Sequence, residues 1–323
     1  MNMTVNNHFD RQILVQLITR HIRAHPEQLR FERVPTGHFN TTYFVEGAER
    51  PLVLRIAPPD DAGFVFYERG MMAQEPQIHE IVRRRTSVPV PEIFVFDATR
   101  EYIDRDYLIM EKLPGVPLTQ CRVNRPQLDR ILHQVGSYLR EIHSITSDKY
   151  GYLGAHHCME PQNDWVSAFR VMWNKLVDDV VEAGYYDADE ERHMRRLLER
   201  YSSVFERPVT SRLLHMDIWA QNILVADGDK VTGILDFDRA LWGDKEIEFA
   251  VLDYCGISEP AFWEGYGQKR DTSMEALIRR AFYLAYEVQK YIVIRHYRHR
   301  DPQSAHRYKI QTMRLLAQLA EIP

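Results

Sequence analysis

The apolar positions divide the chain into a short β-rich stretch followed by a long helical one. Residues 11–22 carry Ile13, Leu14, Leu17, Ile18 and Ile22 at three- and four-residue steps, which is one stripe of a helix. Residues 42–46 and 52–57 read as two strands, and the turn between them, Gly47 to Pro51, predicts a hairpin. A helical pattern follows over 71–85. Pro76 sits directly after Glu75 and places Glu75 near the start of that helix, because proline is tolerated in a first turn. Pro89 and Pro91 break the chain before strand-like runs at 93–96 and 107–110, and Leu113-Pro114-Gly115 ends the second. Beyond residue 118 the period becomes helical, at 127–142, 166–181, 190–201, 276–296 and 306–320. Two β-like runs, 223–225 and 231–237, interrupt the helices. The expected class is α+β. A small sheet with one inserted helix spans 1–111, and a larger, mainly helical part spans 112–323.

Composition narrows the classes. A chain of 323 residues suggests two domains or one two-lobed unit. With 45% apolar and 27% charged residues it reads as an ordinary globular protein. A net charge of −5 argues against a general nucleic-acid binder and is compatible with a cationic substrate. Cys121, Cys158 and Cys255 are odd in number and far apart, which predicts no disulfide framework and fits a reducing compartment. The polar first ten residues show no signal-peptide core, and no apolar run is long enough to span a bilayer. A cytoplasmic location is expected, with no membrane or nucleic-acid partner.

The chemistry concentrates in His215-Met-Asp217-Ile-Trp-Ala-Gln-Asn222 and Ile234-Leu-Asp236-Phe-Asp238. One carboxylate to accept a proton and two oxygen ligands for a hard cation are what phosphoryl transfer from a magnesium nucleotide requires. Asp217 is the candidate base, and Asn222 and Asp236 are the candidate Mg²⁺ ligands. His215 is expected to hold the loop. A zinc site on His215 and Asp217 lacks further ligands at the usual spacing, and His156-His157-Cys158 reads as loop.

Gly37 and Asn40 precede the first strand of the hairpin, where a glycine lets backbone N–H groups approach phosphate. Arg55 on the next strand is the candidate phosphate-binding cation, and Glu75 its candidate partner, with Glu80 as the alternative. The basic run from Arg295 to Arg300 reads as a solvated helix end.

These motifs, in this order, resemble the aminoglycoside phosphotransferase and choline kinase-like group of small-molecule kinases. The likeness runs from about residue 31 to 266 and includes Gly37-x-x-Asn40-x-x-Tyr43, Val53-Leu-Arg55, Tyr107 to Gly115, and Gly243-Asp244. It implies a bilobal protein-kinase-like fold, ATP or GTP as donor, Mg²⁺, and a hydroxyl acceptor on a small molecule. An aminoglycoside-like antibiotic leads as acceptor, with choline, homoserine or a sugar derivative as alternatives. A non-catalytic nucleotide-binding module would be expected to lack Asp217, Asn222 or Asp236, and all three are present. By the same likeness Met110, Glu111 and Leu113 would lie against the purine, and Asp244 would support the catalytic loop. Four positions depart from the group's pattern: Met216 and Asp238 replace glycines, Arg55 stands where protein kinases use Lys, and Glu248 stands where Asp is more usual.

Overall fold

The computed structural model describes residues 9–35, 39–60 and 63–321. Gly37, expected at the nucleotide loop, lies outside them. The chain divides into two compact units, Met1–Asp60 with Val90–Leu113, and Asp61–Pro89 with Pro114–Pro323.

In the first unit a helix α1 (Arg11–Thr19) precedes β1 (Arg30–Arg33), β2 (Thr41–Glu46), β3 (Leu52–Ile56), β4 (Ile93–Asp97) and β5 (Tyr107–Glu111). The strands form one antiparallel sheet in the order β1-β2-β3-β5-β4. Leu14, Leu17 and Ile18 of the predicted stripe pack on Tyr43, Val45, Leu52, Leu54 and Ile56. Leu17 and Ile18 are fully buried, each contributing about 1.5–3 kcal/mol of apolar burial. The hairpin turn needs glycine at Gly47, whose φ is +87° and whose added Cβ would meet the Gln28 carbonyl oxygen at 2.1 Å. Because Leu52, Leu54 and Ile56 face this core, alternation puts Val53 and Arg55 on the other face of β3.

The second unit begins with α2 (Glu75–Arg85) and continues with β6 (Val116–Pro117), α3 (Arg125–Ile142), β7 (Thr146–Ser147), α4 (Trp165–Glu182) and α5 (Ala188–Arg200). Then come β8 (Ser211–Leu214), β9 (Ile223–Ala226), β10 (Lys230–Ile234), β11 (Leu241–Gly243), α6 (Lys245–Tyr254), α7 (Pro260–Tyr266), α8 (Met274–Tyr297) and α9 (Pro302–Ala317). α8 packs on α4, α6 and α9 and is buried on most of its surface. Polar groups on such a helix must find partners inside. Glu287 pairs with Lys290 at 2.5 Å, and the Gln289 side chain accepts from Tyr186 at 2.9 Å.

The sequence division placed α2 in the first lobe, whereas its segment belongs to the second unit. Its anchors explain this. Phe66 N donates to the Asp179 carboxylate at 2.8 Å, Tyr67 stacks on Tyr152 at 5.0 Å, and Ile234 N donates to Pro89 O at 2.8 Å. The predicted strand 231–237 ends early, at Ile234, because Asp236 turns left-handed with φ +67°.

Candidate active site

The site grows from two small antiparallel sheets, β11-β8-β7 and β10-β9-β6. The loop 215–222 links β8 to β9, and residues 235–240 link β10 to β11. Register brings the predicted ligands together. Ile234 pairs with Ile223, and the ladder extends one step as Leu235 N donates to Asn222 O at 2.9 Å. Asp236 therefore follows directly on the residue bonded to Asn222. This adjacency follows from β-pairing, so it could be anticipated once 223–225 and 231–234 are seen as a hairpin.

Asn222 Nδ2 donates to Asp217 O at 2.9 Å and to Asp217 Oδ2 at 2.8 Å. Both partners are acceptors, so the amide must present its NH₂ to them, and its oxygen is left for a cation. Burial raises the Asp217 carboxyl to a pKa of about 6. The charges of Lys290 and Arg239 pull it down, and those of Asp236 and Glu287 push it up. A carboxylate poised this way is a better proton acceptor than one at the ordinary value.

His215 holds the loop, as its sequence position suggested. Its Nε2–H donates to Leu235 O at 2.8 Å, and its Nδ1 accepts from Asp217 N at 3.2 Å. Both contacts fit the neutral ring, and burial lowers its pKa. Phe237 lies against it with ring centres 4.2 Å apart.

Met216 has φ +66°, a left-handed conformation that costs a non-glycine residue roughly 1–2 kcal/mol. Its fully buried side chain offsets that strain by about 1.5–3 kcal/mol. The backbone is pinned in this shape. Met216 N donates to Glu248 Oε1 at 2.8 Å, His215 N donates to the same carboxylate at 3.1 Å, and Met216 O accepts from Arg239 at 2.8 Å.

Glu248 is thus the loop's support, not Asp244. It is fully buried and also accepts from His143 Nε2 at 2.8 Å. Burial alone would raise its pKa, yet the His143 bond and nearby donors hold it below the usual range. Asp244 instead caps α6 through Glu246 N, accepts from Tyr283 at 2.9 Å and pairs with Arg207 at 2.5 Å. Gly243 is required beside it, since an added Cβ would lie 2.0 Å from the Trp165 ring.

Three charged groups escaped the sequence reading. Arg239 bridges Met216 O and Glu287, the latter at 2.7 Å, and Glu287 also pairs with Lys290. The available signal was polar residues at i and i+3 within an apolar helix. Asp238 is buried in the turn Phe237–Arg239, and its carbonyl accepts from Gln74.

Of the remaining predicted residues, Glu75 is fully buried in the first turn of α2, with His79 one turn on at 3.7 Å. The alternative, Glu80, is exposed and pairs with Arg84. Asn40 and Arg55 are buried in the first unit. There too, Met110 and Glu111 end β5, where Glu111 N is taken by Glu92 O, and Leu113 follows. Among the described residues no group of three or more His, Cys, Asp or Glu is placed to hold a metal. The Arg295 to Arg300 run ends α8, and Arg298 pairs with Glu68. No helix among the described residues is long and apolar enough to cross a membrane.

A family model described as the phosphotransferase enzyme family matches residues 30–277. A probable ketoamine kinase of Klebsiella aerogenes is 24% identical over 218 residues, 64% of this chain and 69% of that one. The solved complex of APH(2")-IIa with gentamicin superposes with a TM-score of 0.66 at 17% identity, over 96% of this chain and 97% of that one. A thermostable mutant of aminoglycoside phosphotransferase APH(4)-Ia, in a ternary complex with AMP-PNP and hygromycin B, superposes with a TM-score of 0.64 at 17% identity, over 93% and 97%. The fold is therefore the kinase-like α+β fold, with a β-rich N-terminal lobe and a helical C-terminal lobe. The chain belongs to the phosphotransferase enzyme family. It is a small-molecule phosphotransferase that acts on hydroxyl groups.

Proposed function

We propose that the chain transfers the γ-phosphoryl group of ATP or GTP to a hydroxyl of a small, hydroxyl-rich, sugar-derived molecule of the ketoamine kind. The observation that carries the chemistry is the Asn222 amide donating to both the carbonyl and the carboxylate of Asp217. That contact fixes the carboxylate to orient the acceptor hydroxyl and take its proton as the bond to phosphorus forms. The Asn222 amide oxygen and the Asp236 carboxylate fit Mg²⁺, which would neutralise charge on the phosphates when bound. In this reading Gly37, Asn40, Arg55, Glu75, Met110, Glu111 and Leu113 serve the nucleotide.

The ketoamine reading is supported by the relatives' names and by the state of the carboxylates. An aminoglycoside is a polycation and needs uncommitted acids. Yet Asp253 is held by Arg270 at 2.6 Å and Arg280 at 2.8 Å, Glu246 by Arg279 at 2.7 Å, and Glu259 by Arg125 at 2.8 Å. Asp244 and Glu248 are committed as described. Tyr254, Tyr291 and Tyr308 form a partly exposed aromatic group beside Lys290, with Tyr291 and Tyr308 stacked at 5.0 Å and Lys290 4.9 Å from the Tyr291 ring. Such faces suit the C–H face of a sugar ring. Nucleotide consumption against a panel of ketoamines, sugars, metabolic alcohols and aminoglycosides tests the reading. Acceptor affinity, measured calorimetrically with nucleotide bound, should change little with ionic strength. A steep fall with salt would restore the polycationic antibiotic.

Asp236→Ala should raise the Mg²⁺ concentration needed for half-maximal turnover by tenfold or more, on the order of one lost charged ligand, with folding intact. Full activity at limiting Mg²⁺ would remove Asp236 from the ligand set.

A further inference from the structure

A cavity in the helical unit lies outside the catalytic machinery. It has a volume of about 200 Å³. Its floor is aromatic: Phe249 of α6 with Trp263 and Tyr266 of α7, in mutual edge contact at 5.0–5.9 Å. Its rim carries Lys245, Lys269, Arg270 and Arg280. Both arginines are neutralised on Asp253, and the acids of the rim, Glu246 and Asp271, face Arg279. Lys245 and Lys269 make no ion pair among the described residues. Lys245 lies 5.7 Å from the Tyr266 ring centre and donates to Gln268. Partial burial lowers its pKa, so an anion beside it would gain more than at an open surface. The cavity is smaller than the several hundred Å³ that drug-sized ligands fill, so it admits one ring and one charged group, not a nucleotide.

The floor is wired to the catalytic loop. Tyr266 O–H donates to His143 Nδ1 at 2.8 Å, and His143 Nε2–H donates to Glu248 at 2.8 Å. Glu248 in turn takes the backbone N–H groups of His215 and Met216, one residue before Asp217. The chain of contacts is buried throughout, where polar networks are held rigidly and a shift at one end is felt at the other.

We propose that this cavity is an effector site for a small aromatic anion, a single ring bearing a carboxylate or phosphate, and that its occupancy is passed to the catalytic loop through Tyr266, His143 and Glu248. Occupancy would press on the Tyr266 ring and alter the hydrogen bond that orients His143.

The test uses the full chain without nucleotide or acceptor, so it stands apart from any question of substrate. Benzoate and phenyl phosphate are titrated while Trp263 fluorescence and ligand-observed NMR are followed. Benzyl alcohol, the same ring without charge, is the control. Both anions should bind, and benzyl alcohol should bind at least about tenfold more weakly. Lys245→Gln with Lys269→Gln should weaken the anions by about tenfold or more and leave benzyl alcohol unaffected. Benzoate should also change amide hydrogen exchange at His215 and Met216. In Tyr266→Phe, which keeps the ring and loses the hydroxyl, benzoate should still bind, and the exchange response should disappear. No binding, or binding indifferent to the two lysines, overturns the site. Binding with no response at the loop, or with an unchanged response in Tyr266→Phe, overturns the coupling.

Discussion

Asp217→Asn is expected to cut turnover by roughly two to four orders of magnitude, the scale of a lost general base, while nucleotide affinity stays within about twofold. The substitution keeps the size of the side chain and removes the proton acceptor. It also sets two amide groups against each other, because Asn222 already directs its NH₂ at this position. The new residue can still accept through its own oxygen, so the loop should hold. Steady-state kinetics on the true acceptor, with nucleotide affinity measured separately, give the readout. Wild-type turnover in a pure sample would remove Asp217 from the role of base. A parallel loss of nucleotide binding would mean that the loop had collapsed instead.

Glu248→Ala should be the most damaging change to stability near the site, at about 3–5 kcal/mol, the usual scale for removing one partner from a buried charged network. The wild-type carboxylate accepts from His143, His215 N and Met216 N. Without it two backbone N–H groups and one imidazole N–H lose their partner in a dry interior. The left-handed turn at Met216 then loses its strongest clamp. Urea unfolding measures the first effect. Turnover of the fraction that remains folded measures the second and should fall as well, since Asp217 follows the released residue. Glu248→Gln keeps one acceptor oxygen and should be milder on both counts. An unfolding midpoint equal to wild type in the Ala variant would show that Glu248 does not hold the loop.

How much of this was legible in the sequence depended on sequence distance. Asp217 and Asn222 lie on one loop, and Asp236 follows the paired strand, so the three could be read together. The long helices were readable for the same reason, since α3, α4 and α8 begin and end within two residues of their predicted bounds. What was not legible hangs on tertiary placement. Lys290 and Glu287 are distant in the chain and reach the site only because α8 runs through the centre of its unit. Asp244 caps α6 and Glu248 lies one helical turn further on, and spacing could not say which reaches the loop. The structure gives that task to the longer side chain. β6 and β7 were missed because strands of two residues carry no period. The contacts that tie the segment before α2 to its unit, Tyr67 on Tyr152 and Phe66 on Asp179, join residues far apart in the chain.

Met216 has a consequence for how such chains are found. Its position in the loop is fixed as a backbone shape, φ +66° under three hydrogen bonds, and that shape is met here by a buried methionine. A search pattern spelled with glycine between the histidine and the aspartate would pass over this sequence although every group it was written to catch is present. A pattern written for the shape, with the distant carboxylate on α6 and the guanidinium after Asp238 as its required partners, would retain it. It would also reject chains that carry the glycine but lack the clamp.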